Sequence, residues 1–100
     1  MENIKKENFD PHLKEKFDVN SEEHGAVEVE LVETADKSND VTDCFTLLFK
    51  GSKEKLLDQK LYKVKHAKMG ELDLFMTPVF DEDKDAFYYE SVFNRLKEKK

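Results

Sequence analysis

The residues most suggestive of chemistry are the alternating carboxylates Asp81, Asp83 and Asp85 in "DEDKDAFYYES", residues 81–91. A calcium loop of the EF-hand type opens with oxygen ligands at alternate positions, then requires Gly at its sixth position and a bidentate Glu at its twelfth. Counted from Asp81, those positions hold Ala86 and Val92, and Glu90 falls at the wrong offset. The flanking segments also read as strands, where the motif needs helices. The acids are therefore expected to mark a hairpin turn, since Asp favours turn conformations and stays hydrated there. No metal is assigned.

Nucleophilic chemistry fares no better. Cys44 follows Asp43, and His12, His24 or His66 could in principle serve as its base. Neither a helix N-terminus nor a recognisable nucleophile motif stands nearby to activate a thiol. Cys44 is expected on the outer face of a strand and His66 as a hydrogen-bonded core or rim residue. His12 and His24 fall in a turn and a loop, too far apart in sequence for a standard ligand spacing. The only glycines are Gly25, Gly51 and Gly70, so no Gly-rich phosphate loop can form. The expectation is a protein that is not an enzyme, with no catalytic, cofactor-binding or metal-binding residues and no cofactor.

"KLYKVKHAK" carries Lys60, Lys63, Lys65 and Lys68 around Tyr62, which resembles a surface for single-stranded nucleic acid. That use needs the aromatic ring on the same exposed face as the cations. Alternation instead puts Tyr62 opposite Lys63 and Lys65. The whole chain has 23 acidic against 17 basic residues, a net charge of −6. Such a balance disfavours nucleic acid and anionic membrane as partners.

The elements that would position these residues have a period of two, the period of strands. "AVEVELVE" (26–33) sets Val27, Val29 and Leu31 on one face and Glu28 and Glu30 on the other. "CFTLLFKG" (44–51) does the same with Phe45, Leu47 and Phe49, and "EKFDV" (15–19) with Phe17 and Val19. "KLYKVKH" (60–66) and "ELDLFMT" (71–77) read as a hairpin, with His66 expected opposite Leu72, Val64 opposite Leu74 and Lys65 opposite Asp73. A slip by one residue would set Val64 against Asp73 and spoil both faces. Pro78 cannot donate to a ladder, so a bend or bulge is expected there. "AFYYESVF" (86–93) is the last strand, placing Phe87, Tyr89 and Phe93 together. "FDPHL" predicts one helical turn capped by Asp10 with Pro11 at its first position, and "SKEKLLDQ" (52–59) a second.

About six strands without a long helix predict an all-β domain, and so many inward-pointing large residues favour a small antiparallel barrel. A chain of 100 residues, 38% of them hydrophobic, suits one domain, with an ordered core over about 9–94 and flexible ends. One cysteine excludes an intrachain disulfide, and "MENIKKENFDPHLKEKF" has no apolar run of the signal-peptide kind. A cytoplasmic location is expected.

Three apolar residues, Leu48, Leu61 and Phe75, fall on faces that otherwise carry Lys, Thr and Asp. If contiguous they form a surface for an unknown protein partner or for a homo-oligomer. The alternative is a lipocalin-like small-molecule barrel whose pocket is lined by Tyr62, His66, Tyr89 and Phe93. An interior of about six strands is expected to be too narrow for that, because barrels need about eight to hold one small ligand.

Four segments, "FTLLFKG" (45–51), "YKVKH" (62–66), "GELDLFMTPV" (70–79) and "YESVFN" (89–94), resemble in order and spacing an uncharacterised family of small bacterial domains. The similarity spans about residues 9–94 and departs at Lys60, where Gly is expected. It implies a domain of unknown function, with no catalytic residue to carry over. Some members are encoded near phage-tail-collar-like proteins, which implies an accessory or structural role.

Overall fold

The structure, a computed structural model, describes residues 6–79 and 86–96. A turn of helix α1 (Lys6–Phe9) runs into a 3-10 turn (Asp10–His12). Six strands follow: β1 (Lys16–Ser21), β2 (Gly25–Asp36), β3 (Thr42–Ser52), β4 (Lys60–His66), β5 (Gly70–Val79) and β6 (Ala86–Leu96). They close into an antiparallel barrel in the order β1-β2-β3-β6-β5-β4. The predicted fold class is thus found, and the alternating residues face as expected.

The barrel wall is amphipathic strand by strand. Phe17 and Val19, then Val27, Val29 and Leu31, then Phe45, Leu47 and Phe49 are buried at alternate positions, as are Tyr62 and Val64 and then Leu72, Leu74 and Met76. Each alternate residue points into the lumen because successive Cβ atoms leave opposite sides of the pleat. Six strands enclose a space that side chains fill, and Phe17 meets Phe49 edge-on at its centre with ring centroids 5.4 Å apart.

Two plugs close the ends. Phe9 of α1 is fully buried at one end, 6.0 Å from the Phe45 ring and 5.8 Å from that of Phe93, which in turn stacks on Phe45. At the other end Leu57 inserts from the segment 53–59 and is 1% exposed. That segment contains a turn but not the expected second helical turn. Its backbone is taken by side chains instead: the Leu57 N–H donates to the Tyr89 hydroxyl at 2.9 Å, and the Tyr62 hydroxyl donates to the Asp58 carbonyl at 2.7 Å. A helix would need those same groups for itself.

Two expectations are corrected. The β4–β5 hairpin pairs His66 with Gly70, Val64 with Leu72, Tyr62 with Leu74 and Lys63 with Asp73. This is a shift of two residues, which leaves every side chain on its predicted face, so alternation alone could not detect it. The turn decides: Gly70 sits at φ 80°, and the His66 Nδ1 accepts the N–H groups of Lys68 and Met69, both at 3.1 Å. Pro78 causes no register shift between Thr77 and Val79. Pairing with β4 has ended at Met76, so Pro78 has a strand on one side only, and its missing N–H costs no ladder bond.

A bulge that the sequence did not announce lies in β2. The register against β3 shifts between Leu31 and Glu33, leaving Val32 as the extra residue. Beyond it the facing of β2 reverses, and Thr34 turns inward to donate its hydroxyl to Asp10 at 2.6 Å. From here β2, β3 and β6 continue together past the start of β1, so the described molecule is elongated, 48 × 30 × 24 Å. The carboxylates Asp81, Asp83 and Asp85 lie outside the described residues.

Gly51 lies on the inner face, where an added Cβ would meet Val29 Cγ1 at 3.1 Å and Tyr89 Cε2 at 3.3 Å. The Tyr89 ring is held by its hydroxyl and has little freedom to retreat. Gly51→Ala is expected to lower unfolding free energy by about 1–3 kcal/mol, the usual cost of overpacking, measurable by urea denaturation. The same change at Gly25, whose Cβ would meet nothing within 4 Å, costs only backbone strain at φ 73°.

Candidate functional site

The two sequence-derived sets of site residues fare differently. Leu61 and Phe75 are directly paired across β4 and β5 on the outer face, 60% and 46% exposed. Leu48 is half-buried on β3, with Glu33 on one side and Glu90 on the other, and so stands apart from that pair. Sequence reading missed Val92, which is 51% exposed on β6. The β5–β6 ladder runs from Val79–Tyr88 to Thr77–Glu90 and stops. Phe75 and Val92 each lie two residues beyond the last pair, on either side of the fork where the strands part.

The alternative pocket residues are not gathered into one site. Tyr62 and Tyr89 serve the plug at the Leu57 end, while His66 and Phe93 lie at the Phe9 end. Cys44 lies on the outer face, as expected from alternation, and engages its neighbours through its backbone. Its N–H donates to Ser38 Oγ at 2.9 Å, and its carbonyl accepts from Lys37 N–H at 2.8 Å.

Among the described residues, one convergence of polar side chains is not suggested by spacing. His12, Glu15 and His66 meet beside the Phe9 plug, although 51 residues separate Glu15 from His66. A single carboxylate oxygen, Glu15 Oε1, lies 2.9 Å from His12 Nδ1 and 2.7 Å from His66 Nε2. The imidazoles sit edge to face at 4.5 Å, and Phe17 lies against His66 at the same separation. The backbone aims Glu15: Lys14 is in the left-handed region at φ 73°, and Lys14 N–H and Glu15 C=O both bond to Leu31 of β2.

The donor atoms of these three residues lie within 4.8 Å of one another, close enough to consider a metal. The tautomer of His66 argues against that chemistry. Its Nδ1 accepts two backbone N–H groups, so its proton is on Nε2, the atom a metal would need. Metal-bound imidazoles keep their other nitrogen protonated toward an acceptor, and here that nitrogen faces donors. The arrangement is suited to holding the turn before β1 against the end of β4. Adding Zn2+ or Ni2+ is expected to leave the melting temperature unchanged.

Hydrogen bonding from His12 first, then from His66, holds the Glu15 carboxyl below its ordinary range. Asp10 is held low likewise, by Thr34 first and then Lys6, whose Nζ is 3.0 Å away. A lowered folded-state pKa means that the unfolded chain takes up the proton first. The stabilisation is therefore complete above the ordinary carboxylate range and disappears as pH falls through the lower folded value. Glu15→Gln is expected to melt below wild type at neutral pH, with the two curves converging as the pH drops below the carboxylate range. A constant gap down to strong acid would contradict this role for Glu15.

No curated protein and no solved structure matches the chain. A family model does, over residues 4–93, and its description is "Domain of unknown function (DUF6916)". The two plugs, the outer apolar pair and all of the barrel except the end of β6 lie within one matched unit, and the chain belongs to the DUF6916 family.

Proposed function

We propose that this domain is a noncatalytic accessory module of the bacterial cytoplasm that acts by protein–protein contact or self-association. The observation that carries the reading is the Leu61–Phe75 pair, exposed across two adjacent strands with Val92 on the far side of the fork. Single exposed apolar residues are ordinary, but neighbouring ones on a face of charges are characteristic of interfaces. The rest of that face is charged, with Lys63 3.3 Å from Asp73 and Lys65 across from Glu71. Its apolar centre and polar rim match the anatomy of a contact surface.

The buried polar groups favour this reading over catalysis. The Tyr62 and Tyr89 hydroxyls hold the 53–59 plug, and His66 has both ring nitrogens engaged by its own chain. Among the described residues, no helix is long and apolar enough to cross a membrane.

Phe75→Asp tests the surface. Because Phe75 is half exposed, the variant is expected to fold with a melting temperature near that of wild type. It is expected to lose at least about tenfold in partner binding or self-association, as a central aromatic contact should. Glu28→Gln, on β2 across the barrel, should bind as wild type does. Equal partner recovery by wild type and Phe75→Asp in affinity capture, with an unchanged oligomeric state, would remove the basis for the assignment.

A further inference from the structure

The extension formed by β2, β3 and β6 has two edges, and the chain treats them differently. The β2 edge beyond β1 is covered by residues 10–15. Lys14 N–H donates to the Leu31 carbonyl at 2.7 Å, Leu31 N–H donates to the Glu15 carbonyl at 3.1 Å, and Thr34 bonds Asp10. The β6 edge has no such cover among the described residues. Its other side pairs with β3 throughout, from Ser52–Ala86 to Thr42–Leu96, but its pairing with β5 stops at Glu90. From Ser91 to Leu96, no described residue pairs with the side turned away from β3.

A strand edge carries alternate backbone N–H and C=O groups that another strand satisfies best. Natural edges are commonly guarded by Lys, Pro or a bulge. The edge has no proline, its one charged residue is Arg95 near its end, and its register against β3 is unbroken. Phe93 is only half-buried, although Phe45 stacks on it with ring centroids 4.7 Å apart. Val92 on the opposite face is 51% exposed.

We propose that a second copy of this chain pairs with this edge, β6 against β6 about a two-fold axis through Phe93, extending the three-stranded sheet across the dimer. The inference rests on the self-association form of the proposed function and names the surface that carries it. An antiparallel pair about Phe93 keeps inner faces together: Phe93 meets Phe93 of the second copy, and Val92 meets its Asn94. A two-fold contact of this kind is self-complementary and closes, so it gives a dimer and not a filament. The half-buried Phe93 ring gains an aromatic neighbour, and Val92 gains cover.

The test is sedimentation equilibrium over a concentration series, combined with hydrogen exchange at two concentrations. A dimer is expected, with alternate amides from Ser91 to Arg95, the stretch beyond the Glu90–Thr77 pair, becoming protected as concentration rises. Asn94→Lys places a cation on the edge outside the Leu61–Phe75 pair and should raise the dissociation constant about tenfold or more. Exchange in the barrel strands should not change, which separates edge disruption from misfolding. A chain that stays monomeric at all concentrations overturns the inference, while partner capture by Phe75→Asp judges the proposed function separately. A dimer indifferent to Asn94→Lys but lost in Phe75→Asp also overturns it, and would place self-association on the apolar pair.

Discussion

The lumen of this six-stranded barrel is packed with its own side chains, and that packing orders the rest of this molecule. Its lumen is filled from the wall by Phe17, Phe49, Leu47, Leu74 and Met76, leaving two open ends. Open ends would wet the core, so each needs a plug from a segment outside the sheet. Phe9 and Leu57 are those plugs. A lone side chain on a loop has little reason to stay in place, because ordering a backbone costs about 1–2 kcal/mol per residue. Both plugs are consequently tied down by polar bonds to the strands beneath them.

The ties at the two ends use different chemistry. At the Leu57 end, tyrosine hydroxyls rising from β4 and β6 bind the backbone of a segment with almost no hydrogen bonds of its own, and His24 Nε2 adds a bond to the Leu56 carbonyl at 3.2 Å. At the Phe9 end, Glu15 gathers two imidazoles and Asp10 gathers Thr34 and Lys6. Charge-assisted bonds are stronger than neutral ones but depend on ionisation. The Phe9 end is therefore the acid-sensitive end. It is also the end from which the three-stranded extension projects.

Closure does not remove every edge. The strands β2, β3 and β6 are longer than their neighbours, and the surplus leaves the barrel as a three-stranded projection. The chain covers one side of that projection with its own N-terminal turn and leaves the other beside Phe75 and Val92. Among the described residues, exposed apolar side chains and a strand edge without a β5 partner thus fall together at one fork.

The strands were legible because each has one wet and one dry face, and alternation records that directly: Val27, Val29 and Leu31, or Phe45, Leu47 and Phe49, could face nowhere else. Alternation is blind to shifts of two, so the β4–β5 register was set by the His66-capped turn with Gly70, not by the pattern. The exposed pair Leu61 and Phe75 could be read one residue at a time, but their adjacency could not, nor could Val92 joining them across the fork. The Val32 bulge left no mark in composition. His12, Glu15 and His66 are the clearest case of what only the tertiary structure decided. The sequence supplied three ordinary polar residues, and barrel closure brought β1 against β4, placing two imidazoles on one carboxylate oxygen.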